Sequence, residues 1–273
     1  MNRPSAPADP FFDVPRTVAP TLEGPVELPI LYWRTRYLNA FFLVDRSRVV
    51  AALAAAGAQD LEPTCTWRGR CLVGLACFEY QQTSIGPYNE IGVAVVVAPP
   101  GARPRAAHWL ELPTGVDGSR QAGFYVLHLP VTTPAACAAG REIWGLPKFV
   151  TPIHFGLKAG NVAITLADPT HQGDRDSAIF ELGGTLGASL PAPASSLLLY
   201  SRREGTWLRT AVNVRGAARL YRGRSLRLTV GASAHPMAAT LRGLGLPGAQ
   251  PSLVVTSDRF QSRLNAGCPL ARR

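Results

Sequence analysis

Only two of the 28 basic side chains in this 273-residue chain are lysines, and one of them, Lys148, stands where a cation is out of place. It lies in the run Arg141-Glu142-Ile143-Trp144-Gly145-Leu146-Pro147-Lys148-Phe149-Val150. Trp144, Leu146, Phe149 and Val150 are apolar, and Pro147 stiffens the chain just before the amine. Desolvation disfavours the charged form of a lysine. A free lysine titrates near ~10.4, so about one in ~2,500 is neutral at pH 7. Bringing that value to about 7 takes roughly 4–5 kcal/mol of bias against the ammonium. Burial alone shifts lysines by up to ~3–5 units, so an apolar pocket is sufficient in principle. A neutral amine attacks carbonyl carbon, and the run therefore suggests Schiff-base chemistry on a keto substrate. The competing reading is a surface turn whose ammonium reaches water along its alkyl stem.

Imine chemistry needs a group that moves protons, and a carboxylate serves. Glu90 is the candidate, at the end of Ser84-Ile85-Gly86-Pro87-Tyr88-Asn89-Glu90; its plain alternative is a surface strand residue after a turn. Arg141 and Glu142 read either as an ion pair supporting the lysine loop or as a solvated pair worth little. Trp144, Leu146, Phe149, Tyr88 and Met237 are candidate walls of a pocket or of the core. His128, His154 and His235 are scattered, without an HxH or HExxH pattern, and read as structural histidines. The five cysteines form no CxxC pair. Cys65, Cys71 and Cys77 are spaced by six, which places them on one face of a continuous strand as buried free thiols rather than metal ligands. Gly183-Gly184 and Gly243-Leu244-Gly245 lack the context of a phosphate loop or dinucleotide fingerprint. No metal and no cofactor are expected.

These side chains must be positioned by many short elements, because 24 prolines and 26 glycines punctuate the chain throughout. Residues 1–28 read as an irregular N-terminal arm, and 29–273 as a single domain. Leu31 to Val44 has β character. A helix capped by Asp45 or Ser47 runs to Ala56 and stops at Gly57. Cys71 to Tyr80 and Ile91 to Ala98 read as strands flanking the Gly86-Pro87 turn, followed by Ala122 to Leu129. Thr132 or Thr133 with Pro134 starts a short helix, Ala135 to Ala139, before Gly140. Lys148 then lies on a loop or strand start. His154 to Leu157 and Val162 to Leu166 form a hairpin whose turn, Lys158 to Asn161, leaves Lys158 solvated. Further strands are Ala178 to Leu182, Ser196 to Tyr200, Leu208 to Val214, Ser225 to Val230 and Leu253 to Thr256. Pro236 to Leu244 reads as a helix. The fold class is α+β, mostly antiparallel β, closed or nearly closed into a β barrel with a few short helices.

The net charge of +10 is almost entirely arginine. The arginines are scattered singly, with no basic runs beyond Arg202-Arg203 and Arg272-Arg273, so nucleic acid is not the expected partner; a field that attracts small carboxylates fits. The N-terminus has no apolar core of a signal peptide, and the longest aliphatic run, Ile91 to Ala98, is too short to span a membrane. A cytoplasmic protein is expected.

Gly140-Arg141-Glu142-Ile143-Trp144-Gly145-Leu146-Pro147-Lys148 resembles the active-site stretch of the acetoacetate decarboxylase family. The segment ending at Glu90 resembles the family segment that carries an active-site glutamate, and Arg227 to Leu241, including His235-Pro236-Met237, resembles the C-terminal core more loosely. The resemblance runs from about Tyr37 to Leu264. It implies a cone-shaped β barrel enclosing the lysine, homo-oligomers, and Lys148 as the residue that forms the Schiff base. Two positions depart from the pattern. The second lysine that follows the reactive one in the decarboxylase is here Phe149, and the position of a family arginine near the first strand is Thr35, between Arg34 and Arg36. The resulting expectation is a cofactor-independent Schiff-base enzyme acting on a β-keto acid or related keto acid, which it decarboxylates through a Lys148 imine. An aldolase-dehydratase using the same imine, or a β-barrel binding protein for a small apolar ligand, are the alternatives.

Overall fold

The computed structural model describes residues 9–64, 67–100, 102, 120–171 and 177–270. In chain order the elements are β1 (Thr17–Ala19), β2 (Val26–Leu28), β3 (Ile30–Asp45), α1 (Arg46–Ala55), β4 (Glu62–Pro63), β5 (Arg70–Thr83), β6 (Tyr88–Ala98), β7 (Gly123–Val131), α2 (Pro134–Trp144) and β8 (Lys148–Val150). They continue with β9 (Ile153–Lys158), β10 (Asn161–Leu166), β11 (Phe180–Thr185), β12 (Ser189–Pro193), β13 (Leu197–Arg203), β14 (Thr206–Arg215), β15 (Ala217–Arg222), β16 (Leu226–Val230), α3 (Pro236–Gly243), β17 (Leu253–Leu264) and β18 (Cys268–Pro269).

Seven strands close on themselves in the order β17-β3-β5-β6-β7-β13-β14, with β14 pairing back onto β17. Neighbours are antiparallel except β7 and β13, which run parallel. Closure leaves these strands no free edge. Side chains alternate across each strand. On β5, Cys71, Val73, Leu75 and Cys77 point out of the barrel into the main apolar core, while Gly74, Ala76, Phe78 and Tyr80 face its lumen. The outer core is completed by the second sheet, β16-β11-β10-β9, and by Val49 and Leu53 of α1 and Met237, Ala238 and Leu241 of α3. A second cluster, built from Tyr32, Tyr80, Tyr88 and the buried face of α2, packs separately from that core.

Several expectations are corrected in detail. The lead-in of residues 1–28 is not wholly irregular, since β1 and β2 pair within it; residues 1–8 lie outside the described set. The helix expected to stop before Gly140 runs on to Trp144. Thr133 Oγ1 accepts from the Ala136 N–H, Pro134 opens the helix, and Gly145 ends it in the left-handed region at φ 66. A Cβ at Gly145 would also sit 2.3 Å from the Arg202 carbonyl oxygen, so both handedness and space demand glycine there. The last strand expected at Leu253 to Thr256 extends to Leu264, and β12 and β15 were not anticipated. Cys71 and Cys77 lie buried on one face as expected, while Cys65 falls outside the described residues. Lys158 is exposed at its hairpin turn.

Candidate active site

The site begins with the way α2 hands the chain to β8. After Gly145 turns the chain, the Leu146 N–H donates to the Gly140 carbonyl, and the Leu129 N–H donates to the Pro147 carbonyl. β8 then runs parallel to β7 with Lys148 opposite Leu129. The lysine's alkyl stem passes over Gly140, where a Cβ would lie only 2.4 Å from Cδ and Cε. The ammonium enters the barrel and meets Glu90, which β6 presents two residues after Tyr88. Lys148 Nζ donates to Glu90 Oε2 at 2.6 Å. Both residues are 8% exposed, so the ion pair is almost dry. The two candidates, 58 residues apart in sequence, are thus brought together.

Three tyrosines surround the pair. Tyr80 donates to Glu90 Oε1 at 3.4 Å, and the Tyr32 and Tyr88 hydroxyls lie 3.1 Å apart. Lys148 Nζ stands 5.6 Å from the centre of the Tyr88 ring. Burial, then the nearby Glu90 charge, pushes the Tyr80 and Tyr32 hydroxyls well above their ordinary range; Tyr88 is raised by burial and by the Tyr32 and Glu90 groups. All three therefore stay protonated and act as neutral hydrogen-bonding groups.

The pair faces a cavity of about 140 Å³ inside the barrel. Its walls are mostly apolar: Phe41, Phe78, Val126, Leu129, Leu146 and Leu199 are typical, with Gly74, Ala76, Gly92 and Ala94 providing room. Glu90 and Lys148 are the charged residues that line it, and Asn39 is a polar one.

Other expected site residues are elsewhere. Trp144 is fully buried, but its indole N–H donates to the Asn265 carbonyl and it does not line the cavity. The Phe149 ring packs 4.5 Å from His235, on the outer core side, and Met237 belongs to that same core. Glu142 accepts from the Leu22 N–H, which ties the lead-in to α2, while Arg141 is exposed; the two make no ion pair with each other. Arg36 is bound to Glu79 at 3.0 Å and to the Leu157 carbonyl, and Arg34 opens on a surface groove, so neither arginine beside Thr35 reaches the cavity. Sequence reasoning missed Tyr32, Tyr80 and Asn39. The usable signal was the lumen-facing alternation Gly74, Ala76, Phe78, Tyr80 on β5. Among the described residues no cluster of three His, Cys, Asp or Glu forms a metal site, and no helix is long and apolar enough to cross a membrane.

A closed β barrel that holds a buried lysine–carboxylate pair against an apolar lumen defines a narrow class of protein. The chain belongs to the acetoacetate decarboxylase (ADC) family, whose model matches residues 13–190. No curated protein matches it. Solved structures reproduce the fold at low identity. An acetoacetate decarboxylase from Legionella pneumophila subsp. pneumophila str. Philadelphia 1 is 16% identical with a TM-score of 0.60, covering 99% of this chain and 98% of its own. The enduracididine biosynthesis enzyme MppR, complexed with the condensation product of pyruvate and imidazole 4-carboxaldehyde, is 14% identical with a TM-score of 0.57, covering 90% and 91%. An acetoacetate decarboxylase-like enzyme from Sphingomonas wittichii RW1 is 15% identical with a TM-score of 0.55, covering 90% and 94%.

Proposed function

We propose that the protein is a Schiff-base decarboxylase of a small β-keto acid, with Lys148 as nucleophile and Glu90 as its proton-handling partner. The observation that carries the reading is the 2.6 Å contact between Nζ and Oε2 at the wall of the apolar cavity. Glu90 takes a proton from the ammonium, and the freed amine adds to the ketone carbon. Loss of water gives an iminium on Lys148. The bond to the carboxylate carbon then breaks, carbon dioxide leaves, and its electron pair flows into the iminium to form an enamine. A proton drawn from solvent and relayed by Glu90 adds at carbon, and hydrolysis of the iminium releases the ketone and restores the ammonium. The imine is itself the electron sink, so the sequence of steps needs no cofactor. Water exclusion by the apolar walls favours the step in which charge is dispersed.

The size of the cavity favours a small substrate. A cavity of about 140 Å³ is close to the roughly 150 Å³ that admits one benzene ring. A substrate on the scale of acetoacetate fits that space. Borohydride reduction in the presence of acetoacetate should add one substrate fragment per chain, at Lys148. Labelling that survives Lys148→Ala, or that maps to Lys158, rules out the assignment. Absence of labelling with any keto acid would make the barrel a binding protein.

A further inference from the structure

We propose that the keto acid carries a short unbranched alkyl arm and that Phe41 sets the length of that arm; the proposal rests on the imine reading above. The lumen-facing residues of β5 and β6 pair in steps: Phe78 with Glu90, Ala76 with Gly92, and Gly74 with Ala94. On β3, Asn39 stands opposite Ala76, and Phe41 stands opposite Gly74. Phe41 therefore lies level with Ala94, four residues along β6 from Glu90. At ~3.3 Å per residue that is about 13 Å. The Phe41 ring lies across Gly74, its Cε1 3.3 Å from where a Cβ would stand, so the ring occupies space that a larger residue at 74 would need. Ala76 and Gly92, on the step between, leave a passage from the lysine to that ring.

Polarity divides the cavity along the same length. Lys148, Glu90, Tyr80, Tyr32 and Ser262 gather at one end: Lys148 and Tyr80 bond to Glu90, the Tyr32 ring centre is 4.5 Å from that of Tyr80, and Ser262 pairs with Tyr32. Asn39 stands midway, with its Oδ1 buried. Around Phe41 the walls are Gly74, Ala94, Val126, Phe124 and Leu199, all apolar. An ionised carboxylate among such walls finds no hydrogen-bond donor and is strongly disfavoured. An alkyl group leaves water there at a gain of about four-fold in affinity per methylene. Once Nζ holds the former ketone carbon, its two substituents must diverge. The arm that carries the carboxylate stays with the polar end, and the alkyl arm runs past Ala76 and Gly92 towards Phe41.

The test is a chain-length series of 3-keto acids. With borohydride present, the concentration for half-maximal labelling of Lys148 should fall about four-fold per carbon from acetoacetate to 3-oxopentanoate and 3-oxohexanoate. It should rise about 10-fold or more at 3-oxooctanoate, where the arm meets Phe41. Phe41→Ala should move that break to longer chains: 3-oxooctanoate should label at least as well as 3-oxohexanoate, with acetoacetate within about three-fold of the parent. Ala94→Leu fills the same end from the neighbouring strand, and should weaken 3-oxohexanoate about 10-fold or more while again sparing acetoacetate. Should Phe41→Ala melt too low to be assayed, Phe41→Leu is expected to shift the break in the same direction by less, and Ala94→Leu decides independently. A series that weakens steadily from acetoacetate onward, or variants that change every chain length equally, overturns the role of Phe41 and leaves the imine reading standing. If the unaltered protein is labelled by none of the series, the imine reading falls and the role of Phe41 with it.

Discussion

At the scale of single residues, the site is a proton held between two groups that burial has deprived of water. A buried ion pair is costly to desolvate and costly to break, because removing one partner leaves the other charge uncompensated. Lys148 and Glu90 are therefore expected to depend on one another for folding as well as for chemistry. Glu90→Gln separates their roles: it keeps a hydrogen-bonding group near Nζ but cannot take its proton. The fold should persist while imine trapping and ketone release both fall, release on the order of 10²-fold or more. Near-normal turnover of that variant, measured as carbon dioxide released, would reduce Glu90 to a structural partner. The lysine and the glutamate were both legible in sequence, because each sits in a distinctive short motif. What dries them was legible only at Leu146, which the lysine motif contains and which lines the cavity. Trp144 and Phe149 flank Lys148 in the chain, yet one turns to Asn265 and the other to His235. The lumen is walled instead by Phe78, Val126 and Leu129, which come from strands paired across the barrel. Nothing in the 141–150 run encodes them.

At the scale of elements, α2 is the part that aims the lysine. In sequence Gly140 reads as a terminator, whereas the helix passes through it and stops at Gly145. Glycine inside a helix ordinarily costs roughly 0.5–1 kcal/mol relative to alanine. Here the gap it leaves is filled by Cδ and Cε of Lys148. Gly140→Ala should therefore improve the helix and spoil the site. The clashing atoms belong to a flexible side chain, so the fold should survive with a melting temperature within a few degrees of the parent's, while the rate of borohydride trapping falls about 10-fold or more as the amine leaves Glu90. Unchanged trapping would show that the stem has another route into the lumen. The strand boundaries missed from sequence have a related cause. β17 changes register between Ser257 and Phe260 and again between Phe260 and Ser262, and β3 does so between Tyr32 and Thr35. Bulges break the two-residue alternation on which a strand is recognised. β5 lacks them within Cys71 to Tyr80, and that segment was readable at once.

At the scale of the whole molecule, stability depends on how the barrel joins its outer layer, and that junction carries a titratable group. His128 points outward from β7, where its Nε2 meets Thr240 Oγ1 of α3 at 2.8 Å. Burial, with His235 nearby, lowers its pKa from 6.5 to about 4. His235, itself lowered by burial against the raising influence of Asp168, packs on Phe149. Asp168 is pushed up by burial, but hydrogen bonds from Ser233 and Thr170 more than offset this and hold it at about 2. The signs fix two windows. A histidine whose folded pKa is depressed favours the folded state fully above its unfolded value and loses that contribution as pH falls from about 6.5 to about 4, since the unfolded chain binds the extra proton. At ~1.4 kcal/mol per unit the ceiling for His128 is about 3 kcal/mol. Asp168 acts in the same direction lower down, between its ordinary value and about 2. The melting temperature should therefore be level above pH 7 and drop by roughly 5–10 °C between pH 6.5 and 4. His128→Gln retains a group able to bond Thr240 but has no proton to gain, so most of that slope should vanish, leaving the smaller share from His235. A melting curve equally steep in the variant would place the acid sensitivity elsewhere than the seam between β7 and α3.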